Sequence, residues 1–162
     1  MVASTDLLGA APGPEPILSL VDLLHEIFRT TLVRVQPALA EEGITIGQFW
    51  ALHTLSEVES PTLGTVARHL GISAPTACTN FDLLEMSDLV RRTRSAKDRR
   101  TVELSLTPRG RRVESRIWRE IARLMTSAAG RIPESELRGA VRVLRDVTEG
   151  LQPGATGRGR AL

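Results

Sequence analysis

The stretch Val66-Ala-Arg-His-Leu-Gly-Ile-Ser73, continued by Ala74-Pro-Thr-Ala-Cys-Thr-Asn-Phe-Asp-Leu-Leu84, decides the fold. Leu63, Val66, Ala67 and Leu70 recur at three- and four-residue spacing, which predicts a short helix over Thr62 to Leu70. Gly71 ends it, because glycine accepts the left-handed conformation that closes a helix. Ser73 is placed to cap the next helix, and Pro75 falls in a first turn whose amides lack partners in any case. Two short helices joined by a tight glycine-containing turn form a helix-turn-helix. In the second of them Ala77, Phe81 and Leu84 share one face, and Pro75, Thr76, Thr79, Asp82 and Leu83 lie roughly opposite.

Beyond this unit the period changes to two. Leu89-Val-Arg-Arg-Thr-Arg94 and Thr101-Val-Glu-Leu-Ser-Leu-Thr107 read as strands, the second placing Val102, Leu104 and Leu106 inward. The connection Ser95-Ala-Lys-Asp-Arg-Arg100 makes this a hairpin with a basic tip, a wing. Upstream, Thr45-Ile-Gly-Gln48 fits a capping box, so a helix starts near Ile46 and runs to about Val58. Before it, Ile17, Leu20, Val21, Leu24, Ile27, Phe28, Leu32 and Val35 describe an amphipathic first helix. Downstream, Thr107-Pro108 opens a long fifth helix carrying Val113, Ile117, Ile121, Leu124 and Ala128. Pro133 opens a sixth with Leu137, Val141, Leu144, Val147 and Leu151. The class is mainly α, an α+β winged helix of six helices and a two-stranded wing. Residues 1–16 and 152–162, rich in proline and glycine, are expected to be mobile.

A length of 162 residues and 41% hydrophobic content suit one domain, expected over 17–151. The single Cys78 excludes an intramolecular disulfide framework, and no apolar run approaches the length of a membrane span. A cytoplasmic location is expected, with no membrane partner. Residues 1–60 carry eight acids against Arg29 and Arg34, whereas residues 91–112 carry nine bases against Asp98 and Glu103. A concentrated basic segment is the electrostatic footprint of a nucleic-acid binder, although a solvated charged face has the same composition.

The order of elements, together with Gly43-Ile-Thr-Ile-Gly-Gln-Phe49, Val66 to Ser73, Leu89-Val-Arg-Arg92, Asp98-Arg-Arg100 and Leu104-Ser-Leu-Thr-Pro-Arg-Gly110, resembles the MarR family of transcription regulators over about residues 17–151. The resemblance implies a repressor that binds double-stranded DNA as a homodimer. Its dimer helices come from both chain ends (about 17–40 and 108–151), and its winged helix-turn-helix spans about 45–107. A pocket for a small effector is implied between the dimer helices and each lobe. The broad apolar arc of the first helix and the long stripes of the last two also exceed what a small lobe covers, which an oligomer interface or an intramolecular bundle would explain. The departure from the family is in the recognition helix, where Ala74, Thr79 and Leu83 stand at places that often carry arginine.

Within that frame Ser73, Thr76 and Thr79 are candidates for hydrogen bonds to base edges or phosphates, with Ala74 and Pro75 against thymine methyls. Capping alone would also explain Ser73 and Thr76. Arg68, Arg91, Arg92 and Arg94 are candidate phosphate clamps or intramolecular pairs rather than base readers. In the wing, Asp98 is placed to hold Arg100 for the minor groove, with Lys97 and Arg99 on phosphates, a solvated loop being the alternative. Candidate effector residues, chosen by location, are His25, Phe28, Arg29, Phe49, Trp50, His53 and Trp118. Core packing is the competing role for the aromatic ones, and an anionic aromatic ligand would suit Arg29 and the histidines. Cys78 reads as a small half-buried hydrophobe, with redox sensing as the alternative. His25, His53 and His69 have no metal-ligand spacing, and no phosphate loop, dinucleotide fingerprint, Gly-x-Ser-x-Gly or HExxH is present, so no cofactor, metal or enzyme activity is expected. The competing function is a winged helix serving as a protein-interaction module.

Overall fold

The computed structural model describes residues 14–94 and 102–151. They form α1 (Pro14–Glu41), α2 (Ile46–Glu57), α3 (Leu63–Leu70), α4 (Ala74–Met86), β1 (Val90–Arg94), β2 (Val102–Leu106), α5 (Pro108–Ala129) and α6 (Glu134–Gly150). The chain divides into two compact units, one ending at Ala122 and the other beginning at Arg123.

Local chemistry sets the boundaries in the first unit. Thr45 Oγ1 accepts from the Gln48 amide and Gln48 Oε1 accepts from the Thr45 amide, closing the capping box that starts α2. Thr62 and Thr65 make the same reciprocal pair at α3, with a hydroxyl in place of the usual amide or carboxylate. Gly71 is left-handed at φ 64°, and Ser73 caps α4 by accepting from the Thr76 amide. α1 begins at Pro14 rather than Ile17, so Pro14, Glu15 and Pro16 belong to the helix and not to a mobile segment. Prolines are tolerated in a first turn because its amides have no carbonyl to bond. α1 then continues through Pro37, which removes one amide from the helical ladder. The mobile ends expected over 1–13 and 152–162 lie outside the described residues.

The core sits between α2, α3, α4, the strands and the near ends of α1 and α5. Phe49, Leu52, Val66, Ala77, Phe81, Leu84, Leu89, Leu104 and Ile117 are all buried there, with Val35 and Leu39 contributed by α1. β1 and β2 pair antiparallel, with Val90 opposite Leu106, Arg92 opposite Leu104 and Arg94 opposite Val102. The segment before α3 adds to this sheet, since the Leu104 amide donates to Pro61 O (2.8 Å) and Thr62 bridges to Glu103. Leu104 and Leu106 are inward as expected. Val102 is not: it is 44% exposed, because it pairs with Arg94 at the far end of the hairpin, past the cover of the helices.

The wing is tied to α5 by a joint at Thr107. Its amide donates to Leu89 O (3.1 Å), its hydroxyl donates to Asp88 O (2.6 Å), and the same oxygen accepts from the Gly110 amide (2.9 Å). Gly110 is buried against this joint, and a Cβ there would lie 1.9 Å from Leu89 O. Only glycine lets α5 pass so close to the strand backbone. In the second unit, α6 has no buried residue, and Leu137, Val141 and Val147 are exposed.

Candidate nucleic-acid interface

α4 buries Ala77, Phe81 and Leu84, which turns Pro75, Thr79, Asp82 and Met86 outward, with Ala74 and Thr76 also exposed. Three of the hydroxyls expected to meet DNA are already engaged within the helix. Ser73 Oγ lies 2.7 Å from Thr76 Oγ1 and accepts from the Thr76 amide, and the Thr79 hydroxyl donates to Pro75 O (3.2 Å). Their protons are partly spent, but their lone pairs remain available as acceptors.

The flanking arginines divide. Arg68 on α3 and Arg91 and Arg94 on β1 are exposed. Arg92 takes the intramolecular role instead: Nη2 is 2.6 Å from Asp82 Oδ1, Nη1 is 3.4 Å from Glu85 Oε2, and its backbone amide approaches Glu85 Oε1. Partial burial works against its charge, but the hydrogen bond to Asp82 and the charges of Asp82 and Glu85 outweigh that, and its pKa is raised. The wing tip with Lys97, Asp98, Arg99 and Arg100 lies outside the described residues. Cys78 is exposed rather than half-buried, because it faces away from the Ala77–Phe81–Leu84 side, with Sγ 3.9 Å from Asp82 Oδ2.

Four of the candidate effector residues come together, and three do not. His53 stacks on Trp118 (ring centroids 4.2 Å apart) and meets Phe49 and Trp50 at 5.9 and 5.7 Å. His25, Phe28 and Arg29 are exposed on α1, and no ring contact among the described residues involves His25 or Phe28. Phe49 is fully buried, so core packing is its role. The structure adds Glu114, a buried carboxylate on α5 whose Oε1 is 2.9 Å from His53 Nδ1 and whose Oε2 accepts from Ser115 Oγ. Nδ1 is thereby engaged, and Nε2 is the ring's second polar atom. Its one sequence signal is position: it sits beside Val113 and four residues before Trp118. Next to this cluster a cavity of about 580 Å³ is lined by Trp50, His53 and Thr54 of α2, His69 and Ile72 around the turn, and Asn80 of α4. Arg116 holds α5 to the end of α1 through Glu41 and Glu42, and hydrogen bonds to both carboxylates raise its pKa.

A helix-turn-helix with an attached two-stranded wing, an outward second helix and exposed flanking arginines is the DNA-binding lobe of a transcription regulator. Residues 42–101 match the model of the MarR family. The chain is 31% identical over 87 residues to the HTH-type transcriptional repressor MdtR of Bacillus subtilis, covering 54% of this chain and 56% of that protein. Among solved structures it is similar to a Staphylococcus aureus MarR in complex with salicylate and kanamycin, at 22% identity and TM-score 0.73 over 83% of this chain and 91% of that one. It is also similar to the transcriptional repressor CouR bound to a 23-mer DNA duplex, at 24% identity and TM-score 0.64 over 86% of this chain and 99% of that one. In fold, and in sequence over residues 42–101, the chain is similar to the MarR family of transcription regulators. No described helix is long and apolar enough to cross a membrane, and no group of three or more metal-binding side chains occurs among the described residues.

Proposed function

We propose that the chain is a repressor that binds a palindromic operator as a homodimer and is modulated by a small anionic aromatic effector. The observation that carries the reading is α4: a well-capped helix whose apolar side is fully used by the lobe and whose other side is open to solvent. Ser73, Ala74, Pro75, Thr76 and Thr79 would meet the major groove. Arg68, Arg91 and Arg94 would lie on phosphates. Arg100, held by Asp98, would enter the minor groove between phosphate contacts from Lys97 and Arg99. The DNA-bound CouR structure and the repressor MdtR support this direction.

A second copy is the partner that the exposed apolar side chains call for. Ile17, Leu18, Val21, Leu24, Ile27 and Phe28 of α1 are each at least 40% exposed, and α6 offers Val141 and Val147. An isologous two-fold interface then requires two half-sites related by the same symmetry.

For the effector, the cavity beside His53 has the size of a small-molecule site and a mainly aromatic and aliphatic wall. Glu57 also lines it, so a carboxylate would be directed away from Glu57 towards His53 and His69. The salicylate-bound relative supports this class of ligand. Gel shifts of the full chain against genomic fragments that include its own upstream region test the reading. A saturable, sequence-selective complex released by salicylate-like acids is expected, and equal affinity for every fragment would refute it.

A further inference from the structure

The outward side of α4 is short of donors. No lysine or arginine occurs between Ala74 and Met86, so the common arginine-to-guanine contact is unavailable to this helix. The Thr79 hydroxyl spends its proton on Pro75 O, and the bond between Ser73 and Thr76 spends one of their two, leaving a single hydroxyl proton free at the start of the helix. What this helix presents is mainly acceptors, and the one charged group among the outward residues Pro75, Thr79, Asp82 and Met86 is the Asp82 carboxylate, half exposed.

A carboxylate facing DNA is repelled by phosphates unless it is neutralised and aimed. Arg92 does both from the neighbouring strand. Its guanidinium takes Asp82 Oδ1 at 2.6 Å, while its other arm and its backbone amide engage Glu85. Arg92 is itself fixed by the sheet, where it stands opposite the buried Leu104. One carboxylate oxygen is therefore anchored to the wing and the other, Oδ2, has among the described residues the weak thiol of Cys78 at 3.9 Å. The anchored group differs from a freely rotating surface aspartate in having its direction set by a second element.

We propose that Asp82, held by Arg92, is a specificity-determining residue that accepts a hydrogen bond from the exocyclic amino group of a cytosine in the major groove of the operator. An acceptor-only group pairs with N4 of cytosine, which has no adjacent acceptor in the groove. Adenine sets N7 beside its amino group, and guanine and thymine present acceptors that a carboxylate repels. Arg92 is the positioning residue. The proposal rests on α4 being the element that reads the operator.

The test is selection from a random duplex DNA library with the full-length protein, followed by equilibrium binding to the selected duplex and to its single-base-pair variants. The parent is expected to select a cytosine at one position of each half-site and to bind about tenfold more weakly per half-site when that pair is replaced. Asp82→Ala should flatten that position alone. Asp82→Asn, which carries a donor and an acceptor, should move the preference to adenine. Arg92→Ala should relax the same position and also weaken binding to every duplex, because Asp82 and Glu85 lose their counter-charge, with Arg92→Lys restoring part of both. An Asp82→Ala protein that selects the parental motif with parental discrimination overturns the proposal, as does one that remains helical and binds no duplex. A parent that selects no motif at all refutes the operator-reading role of α4, and the proposal with it.

Discussion

Gly110→Ala should destabilise the protein even though alanine is the better helix former. In an open helix interior the exchange stabilises by about 1 kcal/mol. At Gly110 the new Cβ would lie 1.9 Å from Leu89 O and 2.9 Å from Leu89 C, so α5 and the start of the wing must separate by more than 1 Å to reach even 3.0 Å. That movement pulls on three hydrogen bonds at once: Thr107 amide to Leu89 O, Thr107 hydroxyl to Asp88 O, and Gly110 amide to Thr107 Oγ1. With overpacking at about 1–3 kcal/mol and about 1 kcal/mol for each bond weakened, less the helical gain, the net loss is roughly 3–5 kcal/mol. Urea unfolding followed by circular dichroism should show it as a lower midpoint at unchanged slope. Gly139 in α6 is the control, since a Cβ there meets nothing within 4 Å. Gly139→Ala should be neutral or stabilising by about 0.5–1 kcal/mol. The reasoning is refuted if Gly110→Ala unfolds at or above the parental midpoint.

Four further outcomes are expected. Glu114→Ala removes the acceptor for His53 and should destabilise by roughly 2 kcal/mol in thermal melting, whereas Glu114→Gln, which keeps an acceptor oxygen, should cost less than half of that. Equal losses would mean that packing alone is at stake. Arg91→Ala should reduce the slope of log affinity against log salt by about 0.9 for each phosphate that the arginine neutralises, and an unchanged slope would remove Arg91 from the phosphate contacts. Arg100→Ala should lower the ratio of specific to non-specific DNA affinity at every salt concentration, and an unchanged ratio would reduce Arg100 to one more phosphate ligand. Deleting residues 133–162 should abolish the dimer and DNA binding together, and a truncated chain that still sediments as a dimer would contradict the interface.

How much of the molecule is legible in its sequence follows the range of the interactions. The caps at Thr45, Ser73 and Thr107 and the stop at Gly71 are contacts within a few residues, and local spacing announces them. The Thr62–Thr65 cap is harder to see because a threonine hydroxyl stands where glutamine or glutamate is the usual signal. Gly110 is visible as part of a family string, but its physical reason is a carbonyl 21 positions earlier in the chain. The His53–Glu114 pair spans 61 positions, and the Arg92–Asp82 pair depends on how a strand lies against a helix. Periodicity says nothing about either. The effector candidates on α1 follow from helix order alone, and order does not separate His25, Phe28 and Arg29 from the cluster formed by the other four.

The packing around His53 also gives the molecule a private optical window. The chain has two tryptophans and no tyrosine, and both indoles, Trp50 and Trp118, lie against the same imidazole. Ultraviolet emission therefore reports on that one location where α2 meets α5, and the unit that begins at Arg123 is dark. Circular dichroism, by contrast, weighs the helices of both units. Melting the protein once by each signal measures whether the units lose structure together: superimposable curves mean one cooperative transition, and displaced curves mean two.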